Sequence, residues 1–266
     1  MSKHGKLKLT SVTALSLTLL QLPLAEAARA ARLQSQKGAS SSMTMTNPLQ
    51  SPLACNARAL SPAQKLRIRA LLNEFRATDH DVKELASGYS IRLSGDDRTI
   101  REAAEYISLE RLCCPFFDFA LSAEREAGPV WLTLTGREGV KEFARIEFGI
   151  QKPMGYSAAE ATTPRESPLV CNDGALSPAQ SAKLADVVTE FREQKQEIRE
   201  FPDGYAVRLP ASSEIVQDVA AFMTIVRRCS PYFDTTLQVQ CEAGPVWLKI
   251  TGRDGVKELV RREFRI

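Results

Sequence analysis

The amino-acid sequence predicts an α+β fold built twice: two tandem homologous domains, each ordered α-β-β-α-β-β-α around an antiparallel sheet. Three observations lead there. Sliding the 266-residue chain against itself by 116 positions aligns residues 53–148 with 169–264 without a gap, and roughly two fifths of the aligned positions are identical. Helix-start chemistry, alternating apolar residues and turn residues recur in the same order within each copy. The motif Arg111-Leu112-Cys113-Cys114-Pro115-Phe116-Phe117-Asp118 returns as Arg227-Arg228-Cys229-Ser230-Pro231-Tyr232-Phe233-Asp234.

The chain divides into residues 1–27, a leader 28–52, a first repeat 53–148, a linker 149–168 and a second repeat 169–266. Residues 1–27 have the pattern of a secretory signal peptide: Lys3, His4, Lys6 and Lys8, an apolar run from Leu9 to Leu24, then Ala25-Glu26-Ala27 as a small-x-small cleavage site. That predicts an exported protein, periplasmic or extracellular, with no stable membrane span once the signal is removed. The leader is rich in Ala, Ser, Gln and Thr and cannot bury enough apolar surface to order itself. Its Met43 and Met45 are soft-metal donors by type, but a linker with two methionines is more often only a linker.

Each repeat opens with Cys55-Asn56 or Cys171-Asn172 and then Leu-Ser-Pro-Ala-Gln. Ser61 and Ser177 suit the N-cap, Pro62 and Pro178 the first helical turn, and Gln64 and Gln180 a capping box. Ile68, Leu71, Leu72 and Phe75 give that helix one apolar stripe. Phe201-Pro202-Asp203-Gly204 is a turn leading into alternating Tyr205, Val207 and Leu209, matched by Tyr89, Ile91 and Leu93, which predicts a hairpin. A second helix has Ile100, Ala103, Ala104 and Ile107 on its buried face, echoed by Val216, Val219, Ala220 and Met223, and ends before Pro115 or Pro231. Phe117, Phe119 and Leu121, the Gly128-Pro129 turn and Val130-Trp131-Leu132-Thr133-Leu134 make a second hairpin, and a helix carrying Val140 and Phe143 closes the repeat. Because Val130, Leu132 and Leu134 share one strand face, Trp131 and Trp247 lie on the other. There they form either a ligand surface or part of a core covered on both faces.

Composition narrows the function classes. The formal net charge is +3, and without residues 1–27 there are 32 basic against 31 acidic residues, so no electrostatic case for nucleic acid exists. His80 is then the only histidine, and Gln196 stands at its position in the second copy. A site needing two imidazoles therefore cannot be built within one chain. No Gly-rich phosphate loop occurs. Thiols, carboxylates and arginines remain.

Among the six cysteines, Cys55 matches Cys171 and Cys113 matches Cys229, while Cys114 becomes Ser230 and Cys241 stands where the first copy has Arg125. Three readings compete. The first is a disulfide in each repeat, Cys55 to Cys113 and Cys171 to Cys229, as suits an exported chain. The second is a soft-metal site, Cys55, Cys113 and Cys114 serving copper, zinc or mercury as three thiolates. The third is buried cysteine as a small apolar side chain; Cys241, in register with Phe233, Leu237 and Val239, fits it best. A thiol-redox enzyme fits less well, because Cys113 and Cys114 fall at a helix C-terminus, where the dipole opposes thiolate formation. The other matched polar residues are Arg92/Arg208, Arg111/Arg227, Asp118/Asp234, Glu126/Glu242 and Arg137/Arg253; such charges at turns are usually solvated. Arg111 and Asp118 are retained as candidate ligand-surface residues beside the cysteines, and, with the Cys113 region, as the residues of a rival, thiol-dependent enzyme.

At Glu110-Arg111-Leu112-Cys113-Cys114-Pro115-Phe116-Phe117-Asp118-Phe119, with Gly128-Pro129-Val130-Trp131 following, the repeat resembles a family of small uncharacterised bacterial proteins. It is also similar to the cysteine-bearing C-terminal extension of some MerR-type transcription regulators. Such regulators work in the reducing cytosol and often sense metals or thiol stress, so the resemblance implies cysteines that need not be structural disulfides. This chain differs in its signal, in lacking a DNA-binding helix-turn-helix, and in having one vicinal cysteine fewer in the second copy. Taken together, the sequence predicts an exported, non-enzymatic pseudo-dimer with a soft-metal or thiol-ligand site in the first repeat, the second supporting it. An interaction module with purely structural disulfides is the bland alternative.

Overall fold

Reciprocal capping fixes where the first helix of each half begins. In the computed structural model, which describes residues 51–77, 81–151 and 166–266, the Ser61 amide donates to Gln64 Oε1 at 2.8 Å and the Gln64 amide to Ser61 Oγ at 3.2 Å. Ser177 and Gln180 repeat this pair. Helices α1 (Pro62–Ala77) and α4 (Pro178–Gln194) therefore start where the Ser-Pro-Ala-Gln signal places them. The expected signal peptide, Met43, Met45, His80 and most of the linker lie outside the described residues.

The first half continues as β1 (Val82–Leu85), β2 (Gly88–Leu93), α2 (Asp97–Cys113), β3 (Asp118–Ala123), β4 (Val130–Thr135) and α3 (Val140–Glu147). The second continues as β5 (Glu197–Phe201), β6 (Gly204–Leu209), α5 (Ser213–Cys229), β7 (Phe233–Val239), β8 (Val246–Gly252) and α6 (Val256–Phe264). Short 3-10 turns, Ala57–Ala59 and Asp173–Ala175, precede α1 and α4. Gly88 is required by packing, since a side chain there would collide with the Leu134 carbonyl of the neighbouring strand.

All strands pair antiparallel in one sheet ordered β1-β2-β4-β3-β7-β8-β6-β5. The halves join at β3 and β7, where Leu121 faces Leu237, Phe119 faces Val239 and Ala123 faces Thr235. Leu121 and Leu237 are equivalent positions of the two halves, so the register is symmetric about that pair. The described residues all belong to one compact unit. Leu121, Leu132, Leu237 and Leu248 are fully buried in a core shared with Ile100, Ile107, Val216 and Val219 of the helices. Burial on α2 is wider than the predicted stripe and includes Tyr106, Ser108, Leu109 and Glu110. Two neighbours account for this: α5 packs antiparallel on the Ser108 side, where Gln217 donates to Ser108 at 3.3 Å and Arg228 near the end of α5 pairs with Asp97 at the start of α2 at 2.7 Å, and on the other side Tyr106 packs against Phe75 and Phe148.

The charged residues matched between the halves mostly serve this junction. Asp118 accepts the Cys241 amide at 2.8 Å and Asp234 the Arg125 amide at 2.7 Å. The Glu242 amide donates to the Pro115 carbonyl and the Glu126 amide to the Pro231 carbonyl, both at 2.6 Å. The Glu242 carboxylate accepts from Ser51 and the Glu126 carboxylate from Ser167, and Arg137 and Arg253 donate to the carbonyls of the same two serines. Glu126 and Ala127 both have left-handed backbones (φ 54° and 57°), as do Glu242 and Ala243 (φ 54° and 56°). With the Gly128 amide donating to the Arg125 carbonyl at 2.9 Å, this is a type I′ turn made without its usual Asn or Gly. Each such residue costs about 1–2 kcal/mol, and the cross-half hydrogen bonds of the glutamates hold the turns in that conformation.

Trp131 and Trp247 do lie off the helix-side core, yet both are buried. Lys83 Nζ sits 3.6 Å above one ring and Arg199 3.9 Å above the other, so the indoles are covered by cationic side chains rather than presented to a ligand.

Candidate metal centre

The three cysteines singled out in the first half converge at one end of α2. Pro115 prevents the helix from continuing, so Cys113 is its last residue and Cys114, with φ −123° and ψ 67°, leaves it. The Asn56 amide donates to the Cys113 carbonyl at 2.7 Å, which draws the entry segment and Cys55 onto the helix end. The second half makes the same tie, Asn172 to the Cys229 carbonyl at 2.7 Å. Past the motif, Phe116 and Phe117 both turn into the core and pack on Phe143, with ring centroids 5.0 and 5.8 Å from it.

The cysteine pairing differs from the expected one. Cys55 is disulfide-bonded to Cys114, with Cα atoms 4.6 Å apart, and Cys113 is an unbonded thiol. The reason is the direction of the side chains: a residue in the last helical turn points back along the helix, so the Cys113 thiol reaches Glu110 Oε2 at 3.6 Å. Cys114, outside the helix, faces the entry segment instead. In the second half Cys171 and Cys229 are free thiols rather than the expected bridge, with Cys171 Sγ 3.2 Å from Asp173 and Cys229 Sγ 3.6 Å from Ser230 Oγ. Cys241 lies beyond the end of β7 and is half-buried, so it is not the strand-core residue expected.

Glu110 completes the cluster. One sulfur each from Cys55, Cys113 and Cys114 and one Glu110 carboxylate oxygen all lie within 4.8 Å of one another. Four donors bound tetrahedrally to zinc, with Zn–S near 2.3 Å, are about 3.8 Å apart, so closing on an ion requires the bonded Cys55 and Cys114 sulfurs to be reduced and to separate, while the wider-spaced donors of the set draw in slightly. Glu110 is 2% exposed. Burial, and then the charge of Glu147, push its carboxyl up to about 8, with the Cys113 thiol acting in the opposite direction. Burial, and then Glu110, push the Cys113 thiol up to about 12, which makes it a poor nucleophile at neutral pH. Behind them Tyr106 donates to Glu147 Oε1 at 3.0 Å, and Glu147 Oε2 is buried without a hydrogen-bond partner. Burial raises the Glu147 carboxyl as well. A cavity of about 150 Å³ between α1, α2 and α3 is lined by Cys55, Cys113, Glu110 and Glu147, with Ile68 and Leu72 opposite.

Sequence reasoning missed Glu110 and Glu147. A signal for Glu110 was present: the position falls on the buried face of α2, and Val226 occupies it in the other half. Of the other candidates, Arg111 is half-buried on α2, Asp118 serves the junction, and neither belongs to the donor cluster. Among the described residues no helix is long and apolar enough to cross a membrane. Comparison of the chain with protein-family models, with curated proteins and with solved structures finds no match.

Proposed function

We propose that this is an exported, non-enzymatic binding protein, two duplicated copies of one domain packed as a pseudo-dimer, whose first half takes one thiophilic cation such as Cu(I) or Zn(II). The observation that carries this reading is the convergence of three sulfurs and one buried carboxylate within 4.8 Å. Three thiolates with one carboxylate suit a soft or borderline ion, whereas hard Mg²⁺ or Ca²⁺ would need oxygens throughout. Export rests on the basic and apolar pattern of residues 1–27 with its Ala25-Glu26-Ala27 site. The resemblance of the Cys-Cys-Pro-Phe-Phe motif to regulator extensions also favours thiol chemistry over a purely structural role.

Binding requires reduction. A dithiol reductant gives two electrons and two protons to the Cys55–Cys114 bond and becomes a disulfide itself; the freed thiols then lose protons as the cation binds. The oxidised chain is the storage or resting form, in which the bridge closes a loop spanning 59 positions and stabilises the fold by about 4 kcal/mol on the chain-entropy model.

The test is anaerobic titration of the reduced full-length protein with Zn(II) against a chromophoric chelator. One tight equivalent is expected, lost in Cys113→Ser and Glu110→Gln and kept in Cys171→Ser and Cys229→Ser. Equal affinity in all four variants, or no tight equivalent in the wild type, overturns the proposal.

A further inference from the structure

The position that forms the thiol pocket in the first half is a different kind of cavity in the second. It lies between α4, α5 and α6, measures about 500 Å³, and its walls include Leu184, Val188, Phe222, Val226, Phe233 and Leu259. The equivalent first-half residues are Ile68, Leu72, Tyr106, Glu110, Phe117 and Phe143. Four groups of the first pocket have a smaller or apolar successor, while Glu147 is kept as Glu263: Phe143 becomes Leu259, Leu72 becomes Val188, Tyr106 becomes Phe222 and Glu110 becomes Val226. The space left by the lost ring of Phe143 is visible at its neighbour, since Phe117 is 1% exposed whereas Phe233 is only half-buried.

A volume of about 500 Å³ is that of a small-molecule pocket, whose apolar wall is flanked by polar residues that include Asp173, Ser181, Arg192 and Glu263. Its polar lining groups are mostly paired: Cys171 with Asp173, and Arg192 with Glu263 at 3.0 Å. Arg262 is exposed at the rim and makes no ion pair among the described residues. The first half has Ile146 at that position. Glu258, which is ion-paired with Arg261, also acts on Arg262 electrostatically, but a guanidinium without an ion pair of its own beside the apolar wall is complementary to an anion carrying an apolar body.

We infer that the second half is a binding site for a small amphiphilic carboxylate, a medium-chain fatty acid or an acid of similar size, its apolar part within the chamber and its carboxylate at Arg262. The two halves then hold different ligands at equivalent places. The inference stands independently of the metal reading, because no first-half thiol takes part.

The experiment is displacement of 11-(dansylamino)undecanoate from the full-length protein by sodium decanoate and by 1-decanol. Saturable binding of one probe per chain is expected, with decanoate displacing it at least fivefold more effectively than decanol. Arg262→Ile should abolish that preference while retaining the decanol response. Val188→Leu with Leu259→Phe, which restores the first-half side chains, should weaken the probe at least tenfold with an unchanged far-ultraviolet circular dichroism spectrum. Cys113→Ser should change nothing. No saturable probe binding, or full binding in the filled variant, overturns the inference; decanol equal to decanoate in the wild type overturns the role of Arg262 and with it the carboxylate.

Discussion

The two halves share helix starts, strand register and a helix-end tie from an asparagine amide, yet the chambers between their helices differ in chemistry. In the first, Cys55, Cys113, Glu110 and Glu147 line a space of about 150 Å³. In the second, Val226, Ser230 and Leu259 are among the residues around a space of about 500 Å³ with an apolar wall and a polar flank. The sheet and the α2–α5 contact join the halves symmetrically, whereas the side chains that fill the two chambers differ.

The largest expected difference concerns the disulfide. Cys114→Ser in the oxidised protein should lower unfolding free energy by about 4 kcal/mol, measured in urea, whereas Cys171→Ser should change it by less than about 0.5 kcal/mol. Equal losses would mean that Cys171 is bonded in solution and that the halves are more alike than described. Next comes the carboxylate. Glu110→Val copies the second half and removes a buried carboxyl, so the metal-free protein should gain about 1–3 kcal/mol while reduced protein loses Zn(II) affinity by more than ~100-fold. A stability loss instead would show that Glu110 is satisfied by partners that the apolar half does not need.

The sequence made the fold legible because its signals are local. Ser-Pro-Ala-Gln, the Gly128-Pro129 turn and the proline after Cys113 each act over a few residues, and each element they bound forms where they indicate. The site was only half legible. The three cysteines were recognised by type, but their partners depend on direction: Cys113 turns back to Glu110, and only Cys114 reaches Cys55. Spacing along a chain does not encode which of two adjacent thiols exits a helix. Likewise Asp118, Glu126 and Arg137 looked like solvated turn charges because their partners lie in the other half, joined through a β3–β7 pairing that no short-range signal announces.

Where the frame is shared, the halves should respond alike. Ala127→Gly and Ala243→Gly relieve left-handed alanines, and each should stabilise by about 0.5–1 kcal/mol, measured by thermal unfolding; a gain in one only would break the symmetry of the junction. The smallest effect is acid sensitivity. Asp96 caps α2 by accepting from Ser94 and the Thr99 amide, which lowers its carboxyl to about 2, while Ser212 caps α5 without titrating. A carboxyl lowered on folding adds stability above its unfolded value near 4, and that contribution is lost as pH falls toward 2. Asp96→Ser should thus flatten the stability curve between about pH 4 and pH 2, with Ser212→Asp steepening it.

The most direct test of the metal account is zinc K-edge absorption on the reduced full-length protein carrying one equivalent of Zn(II). Three sulfurs at about 2.3 Å and one oxygen at about 2.0 Å are predicted, falling to two sulfurs in Cys113→Ser and unchanged in Cys171→Ser. A shell of nitrogen and oxygen alone, or one that Cys171→Ser alters and Cys113→Ser does not, would contradict it.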